Sequence, residues 1–175
     1  ISFMAKYSWD DTGSSCHIHS SLWSPDDTTA VFYDHDAEHG MSETFRWWLG
    51  GLLATAADFS LLWAPTINSY KRFQPGSWAP TAIGWGLDNR TLGFRRVGHG
   101  KGTRVESRVP GADANSYFAF AGTIAGGLYG IENRIEPPAP YVGNGYEAAD
   151  LPRIPWNIVD AIDRWEASAV ARACF

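Results

Sequence analysis

Between Arg104 and Val109 charged and apolar side chains alternate, with Arg104, Glu106 and Arg108 on one side and Val105 and Val109 on the other. Successive residues of a strand point to opposite faces. This segment therefore predicts a sheet that gives one face to charge and the other to the core, in a register that a one-residue slip would invert. The same alternation recurs at His17-Ile18-His19, directly after the small-residue turn Thr12-Gly13-Ser14-Ser15. His17 and His19 share a face and Ile18 takes the other, an arrangement suited to a metal or a phosphate. A solvated ladder of surface charges has the same pattern when either segment is read alone.

Charge distribution separates the two readings. The chain carries a net charge of −5, yet half of its 14 lysines and arginines are Arg72, Arg90, Arg95, Arg96, Lys101, Arg104 and Arg108. An acidic protein that gathers its cations this way is built to hold an anion, and arginine forks suit phosphate and carboxylate. The overall negative charge argues against general affinity for nucleic acid. No apolar run of membrane length is free of polar breaks, so no membrane partner is expected. Cys16 and Cys174 lie far apart without CxxC spacing, which fits a reducing, cytoplasmic setting.

Along the chain, residues 1–9 and 14–23 predict two strands of a hairpin around the 10–13 turn. Residues 24–41 read as a polar loop; its Asp34, His35, Asp36, Glu38 and His39 are dense enough for a metal but common in a solvated loop. Ser42 caps a predicted amphipathic helix in which Phe45, Trp48, Leu49, Leu52, Ala56, Phe59 and Trp63 recur at helical spacing before Ala64-Pro65. Residues 68–80, with Lys71-Arg72 near the start and two prolines, predict a long loop that could close over a ligand. Extended pieces follow at 81–87, 92–97 and 103–109, then a helix over about 115–133 capped by Asn115, a Pro/Gly loop at 136–155, and an amphipathic helix over 156–171. At 175 residues this is one domain with a real core, and the fold expected is α+β, a curved, mainly antiparallel sheet backed by helices.

Four motifs in order carry a resemblance over nearly the whole chain. They are Gly-Ser-Ser-Cys-His-Ile-His-Ser-Ser-Leu at 13–22, Pro-Thr-Ile-Asn-Ser-Tyr-Lys-Arg-Phe-Gln-Pro-Gly at 65–76, Asn-Arg-Thr-Leu-Gly-Phe-Arg at 89–95 and Arg-Val-Glu-Ser-Arg-Val-Pro at 104–110. Together they resemble the C-terminal catalytic half of the glutamine synthetase family. The resemblance implies ATP-dependent joining of glutamate to ammonia or another amine through γ-glutamyl phosphate, in a homo-oligomeric, dodecamer-type ring. It implies His17 and Glu106 as ligands of Mg²⁺ or Mn²⁺, a hard cation that tolerates one imidazole. His19, Ser21, Lys101 and Arg104 match ATP-binding positions, Arg95 matches a catalytic cation at the transferring phosphoryl group, and Gly13, Arg72, Arg90 and Arg108 match the glutamate site. Residues 1–175 would be an incomplete catalytic domain. The family's small N-terminal β-grasp domain and remaining metal carboxylates would fall upstream of Ile1, leaving this chain alone with little activity. Tyr146 falls near a tyrosine that some bacterial members adenylylate, although its surroundings favour a structural loop tyrosine.

Two departures point to the substrate. Trp78 stands where the family flap places a glutamate that binds ammonium and accepts its proton, and tryptophan has only an N–H donor. It can still shield an acyl phosphate and offer an aromatic wall to an alkyl amine. Thr12 replaces an asparagine near the glutamate site. The substrate expected is therefore an organic amine, with an ammonia-using glutamine synthetase and a catalytically inactive structural member as alternatives. A binuclear hydrolase using His17, His19, His35 and His39 needs a carboxylate spacing that the sequence lacks.

Overall fold

The computed structural model describes residues 1–175. Its centre is a four-stranded sheet in the order β1-β4-β3-β2, with β1 Ile18–Ser20, β2 Trp85–Leu87, β3 Phe94–Val97 and β4 Arg104–Ser107. β4 pairs antiparallel with both β1 and β3, while β2 pairs parallel with β3. The α+β architecture expected from the sequence is the one observed, and its sheet is mixed and open. Ile18, Phe94 and Val105 are buried on the core side, against α1 Glu43–Thr55, α2 Ser60–Trp63 and their neighbours.

Helix α1 is capped as predicted: Ser42 Oγ accepts from the Phe45 amide at 3.1 Å and donates to the Val31 carbonyl at 2.7 Å. It packs along α3 Ser116–Glu132, whose N-cap Asn115 accepts from the Tyr117 and Phe118 amides. The two helices meet backbone to backbone. A Cβ on Gly51 would lie 2.1 Å from the Gly126 carbonyl oxygen, and one on Gly130 would lie 2.1 Å from that of Trp47. Glycine at these positions is what permits the approach.

Several predicted boundaries change, each for a local reason. Residues 1–9 form no strand and no hairpin; Ala5 accepts from the Ser14 amide, and Asn68 clamps both main-chain groups of Lys6, so the segment is tied to the loop at 68–80 instead. The helix expected over 42–63 breaks after Thr55, which lets Phe59 reach Trp165 and Phe175 at centroid distances of 6.1 and 5.6 Å. Residues 67–72 tighten into the 3-10 turn Ile67–Arg72, held by a reciprocal Thr66–Ser69 capping box. The last helix is two: α4 Ile158–Ala167 and α5 Ala169–Cys174 share Ser168, whose side chain caps the second. No helix is long and apolar enough to cross a membrane, and Cys16 and Cys174 are both free thiols.

Candidate active site

Strand register decides which ionisable groups meet. His19 of β1 and Arg95 of β3 both sit opposite Glu106 of β4. Residues directly opposite in an antiparallel pair share a face, so a row His19–Glu106–Arg95 runs across three strands. Arg104 and Arg108 flank Glu106 at the two-residue spacing read from the sequence. His17, one residue before β1, joins the same face.

Glu106 is buried and divides its two oxygens between two kinds of partner. Oε1 faces His17 Nδ1 at 3.3 Å and His19 Nε2 at 3.4 Å. Oε2 accepts from Arg95 Nη1 and Arg108 Nη1, each at 3.0 Å. Burial favours the neutral acid, but the hydrogen bonds from His17, Arg95 and Arg108 outweigh it and hold the carboxyl well below the usual carboxylate range. His19 is fixed on its other side: Arg104 Nε donates to His19 Nδ1 at 3.0 Å. That bond leaves the imidazole proton on Nε2, directed at Glu106. Burial pushes the His19 pKa down, against the pull of Glu106. Arg95 is braced by Asp88, to which its Nε donates at 2.8 Å.

The loop at 68–80 is tied to this cluster through its main chain. Arg108 Nη2 donates to the Trp78 carbonyl at 3.2 Å and Nε to the Arg90 carbonyl at 3.1 Å. Trp78 is 65% exposed and has φ +63°, in the left-handed region that a bulky residue enters only under constraint. Arg72 is buried and donates to the Val109 carbonyl at 2.8 Å; burial pushes its pKa down to about 10 against the pull of Asp113. Arginine at that value is still fully charged at neutral pH.

Two cavities are lined by partners of Glu106. A small one of about 80 Å³ is lined by Lys6, Gly13, His17, Arg72, Trp78 and Arg108 among others. A larger one of about 760 Å³ is lined by Tyr33, His39, Asp88, Arg95, His99 and Arg104 among others. Of the residues singled out from sequence, Gly13, His17, Arg72, Trp78 and Arg108 thus share the small cavity, and Arg95 and Arg104 the larger. His19 links to the second through Arg104, and with Ser21 lines a separate hollow beside Trp48 and Ile124.

Two predicted residues are not gathered in. The Arg90 side chain is exposed and only its carbonyl reaches the cluster; Lys101 is exposed on the short turn Gly100–Gly102. The Tyr146 hydroxyl is buried without a hydrogen-bond partner. Sequence reasoning passed over Lys6, Asp88 and Asp113. Lys6 lies in a stretch that reads as strand, and the acidic pair acts from turns that carry no motif. No group of three or more His, Cys, Asp or Glu side chains is arranged to hold a metal ion. His17 lines the small cavity and His35 and His39 the larger, so the four histidines are not gathered at one place, and His17 with Glu106 is a partial donor set.

Comparison with known proteins places the chain in a family. The family model described as glutamine synthetase, catalytic domain, matches residues 1–175. The γ-glutamylethanolamide synthetase GlnA4 of Streptomyces coelicolor is 51% identical over 176 residues, covering 100% of this chain and 37% of the relative. A glutamate–isopropylamine ligase of Pseudomonas sp is 40% identical over 176 residues, covering 99% of this chain and 38% of the relative. The glutamine synthetase of Thermotoga maritima is 40% identical over 169 residues, covering 92% and 38%. A solved structure of a GmaS/ADP complex superposes with a TM-score of 0.88 at 33% identity, over 99% of this chain and 41% of that one. The chain spans little more than a third of the length of the curated relatives it matches. By its family match, its relatives and its superposition, this chain belongs to the glutamine synthetase family.

Proposed function

We propose that the full-length protein is an ATP-dependent ligase that joins the γ-carboxyl of glutamate to an organic amine through γ-glutamyl phosphate. The observation that carries this reading is the division of Glu106 between two histidines and two arginines, at the boundary between a small cationic cavity and a larger one. Glutamate occupies the small cavity, with Arg72, Arg108 and the main chain at Gly13 around it. ATP enters the larger one, where Arg95 and Arg104 meet its phosphates, and the hollow lined by His19 and Ser21 lies beside it through the Arg104–His19 bond. Superposition on a GmaS/ADP complex supports a nucleotide in this fold.

His17 and Glu106 fit a hexacoordinate Mg²⁺ or Mn²⁺. Their facing atoms are 3.3 Å apart, near the roughly 3 Å between adjacent ligands of an octahedral ion at 2.0–2.1 Å. Such an ion keeps several waters and substrate phosphates in its shell, so two protein donors suffice for its attachment. Bound there, it would supply charge neutralisation to the transferring phosphoryl group. A bound ion would take the place of the proton that His17 Nδ1 gives to Glu106, whereas the bond from Arg104 to His19 Nδ1 keeps the His19 proton on Nε2 and that ring outside the ligand set.

In the first step a γ-carboxylate oxygen of glutamate forms a bond to the γ-phosphorus of ATP as the bond to ADP breaks. Arg95 neutralises charge on the transferring oxygens, and positioning with charge stabilisation supplies most of the barrier reduction. In the second step the amine nitrogen attacks the acyl carbon, and phosphate departs carrying the original carboxylate oxygen. The proton leaves the amine to a base or water, since Trp78 cannot accept it. Trp78, exposed at the mouth of the small cavity, shields the acyl phosphate and packs against the alkyl part of the amine. The names of the Streptomyces and Pseudomonas relatives, which give ethanolamide and isopropylamine, support an amine over ammonia.

A glutamine synthetase using ammonia is the second reading, favoured by the comparable identity to the Thermotoga enzyme. The large apolar side chains exposed on α3, including Phe118, Phe120 and Ile124, support a homo-oligomer for the full-length protein. Phosphate release from ATP and glutamate, compared across ethanolamine, isopropylamine, putrescine and ammonium, tests the reading. Turnover with an organic amine above that with ammonium supports it; ammonium as the best substrate leaves the second reading, and no release with any amine leaves an inactive structural member.

A further inference from the structure

We infer that Lys6 is a substrate-binding residue, whose ammonium group holds the α-carboxylate of the amino-acid substrate in the small cavity. Lys6 is only 5% exposed and its side chain lines that cavity alongside Arg72 and Arg108. Its main chain is fixed: the amide donates to Asn68 Oδ1 at 3.0 Å, and Asn68 Nδ2 donates to its carbonyl at 2.6 Å. The side chain therefore starts from a fixed backbone at the cavity wall.

The charges around the cavity do not cancel. Arg108 is paired with Glu106, and Arg72 feels the carboxylate of Asp113. Lys6 takes part in none of the ion pairs of the fold, which engage Arg46, Arg95, Arg108 and three histidines. Nor does its side chain make a hydrogen bond. No aspartate or glutamate lines the cavity. Asp10 and Asp11 line only the neighbouring hollow, and neither forms an ion pair with Lys6; a cation at a cavity with no carboxylate in its wall is a site for an anion. The missing partner is an anion that arrives with the substrate.

Position selects which anion. Arg108 touches Glu106 and marks the end of the cavity where phosphoryl transfer takes place in the proposed reaction. Lys6 lines a second hollow as well, with Asp10, Asp11, Gln74 and Trp78, so it stands toward the outer end. A glutamate with its γ-carboxylate at the Arg108 end presents its α-carboxylate to Lys6. The inference rests on the glutamate reading above and adds a residue to it.

The test uses the full-length protein and its Lys6→Gln and Lys6→Arg variants. Calorimetric binding of glutamate and of its α-carboxamide, which keeps the γ-carboxylate, is measured beside the KM values for glutamate and ATP. Loss of one charge-assisted hydrogen bond corresponds to about a tenfold to hundredfold weakening. The expected result is that size of loss for glutamate in Lys6→Gln, partial recovery in Lys6→Arg, an ATP KM within about twofold of the parent, and disappearance of the parent's preference for glutamate over the α-carboxamide. An unchanged glutamate affinity would overturn the inference. So would equal weakening of glutamate and its α-carboxamide, which marks a structural role or contact with the γ end, or a parent protein that does not bind glutamate. If the parent binds glutamate through Lys6 yet releases no phosphate with any amine, the ligase reading fails and the Lys6 assignment stands.

Discussion

Arg95 and Glu106 face each other across β3 and β4 in direct register, and Arg95 Nη1 donates to Glu106 Oε2 at 3.0 Å. The pair joins the two cavities: Arg95 lines the larger one, while Glu106 passes the contact on to His17 and Arg108 of the smaller. A single carboxylate thus fixes the separation of the groups proposed to hold nucleotide and glutamate.

Replacing that carboxylate is expected to destabilise the fold as well as abolish turnover. Glu106→Gln leaves the buried guanidinium of Arg108 without a counter-ion and Arg95 with Asp88 alone, a change that costs about 3–5 kcal/mol. The folded-state pKa of Glu106 is depressed. Its contribution is therefore fully present above the unfolded value of about 4.3 and disappears as pH falls through the lower folded value. Urea titrations should show a gap between parent and variant at pH 7 that narrows only in strong acid. A gap that closes already near pH 6 would assign the stabilisation to another group.

Packing of α1 on α3 gives a prediction independent of chemistry. Gly51→Ala and Gly130→Ala each put a methyl group 2.1 Å from a facing carbonyl oxygen, and backbone cannot move aside as a flexible side chain can. Each substitution should lower unfolding free energy by at least about 2 kcal/mol, read as a shift of the denaturant midpoint. Gly76→Ala is an informative comparison: a Cβ there meets nothing within 4 Å, but φ is +76°, so its smaller cost comes from backbone strain alone.

Arg104 lines the larger cavity and holds His19 through one 3.0 Å bond. Arg104→Gln is expected to raise the KM for ATP about tenfold or more while leaving the KM for glutamate within about twofold, because a charged donor to phosphate is lost. Steady-state kinetics with each substrate varied in turn checks the split. An equal rise in both would place Arg104 in a structural role.

Trp78→Glu restores an acceptor at the mouth of the small cavity. The substitution should raise the ratio of ammonium to organic-amine turnover several-fold, since a carboxylate can bind ammonium and take its proton while the aromatic wall for an alkyl chain is gone. Competition between ammonium and ethanolamine for a fixed amount of ATP measures the ratio. The main-chain bond from Arg108 to residue 78 does not involve the side chain, so the loop is expected to keep its place.

Much of this site was readable from alternation. Arg104-Val105-Glu106-Ser107-Arg108 and His17-Ile18-His19 declare their faces by period two, and the structure pairs those very segments. The caps at Ser42 and Asn115 were likewise local signals, and both form. What sequence could not supply was the partner of each segment. Residues 1–9 have strand-like composition, but Asn68 and Ser14 take their main-chain groups, and nothing local announces that. Arg90 and Lys101 belong to basic runs, yet their side chains project outward because the turns that carry them sit at the sheet's rim. Lys6 escaped for the opposite reason: a lone lysine among apolar residues looks like a surface charge until its burial is seen.

The most direct test of the central claim follows the oxygen. Full-length protein is supplied with ATP, Mg²⁺, ethanolamine and glutamate carrying ¹⁸O in its γ-carboxylate, and the phosphate released is analysed by mass. A ligase working through γ-glutamyl phosphate puts one labelled oxygen into each phosphate, forms ADP and makes the γ-glutamyl amide in equal amount. Unlabelled phosphate, or label recovered in AMP, would contradict phosphoryl transfer to glutamate at the Glu106–Arg95 pair.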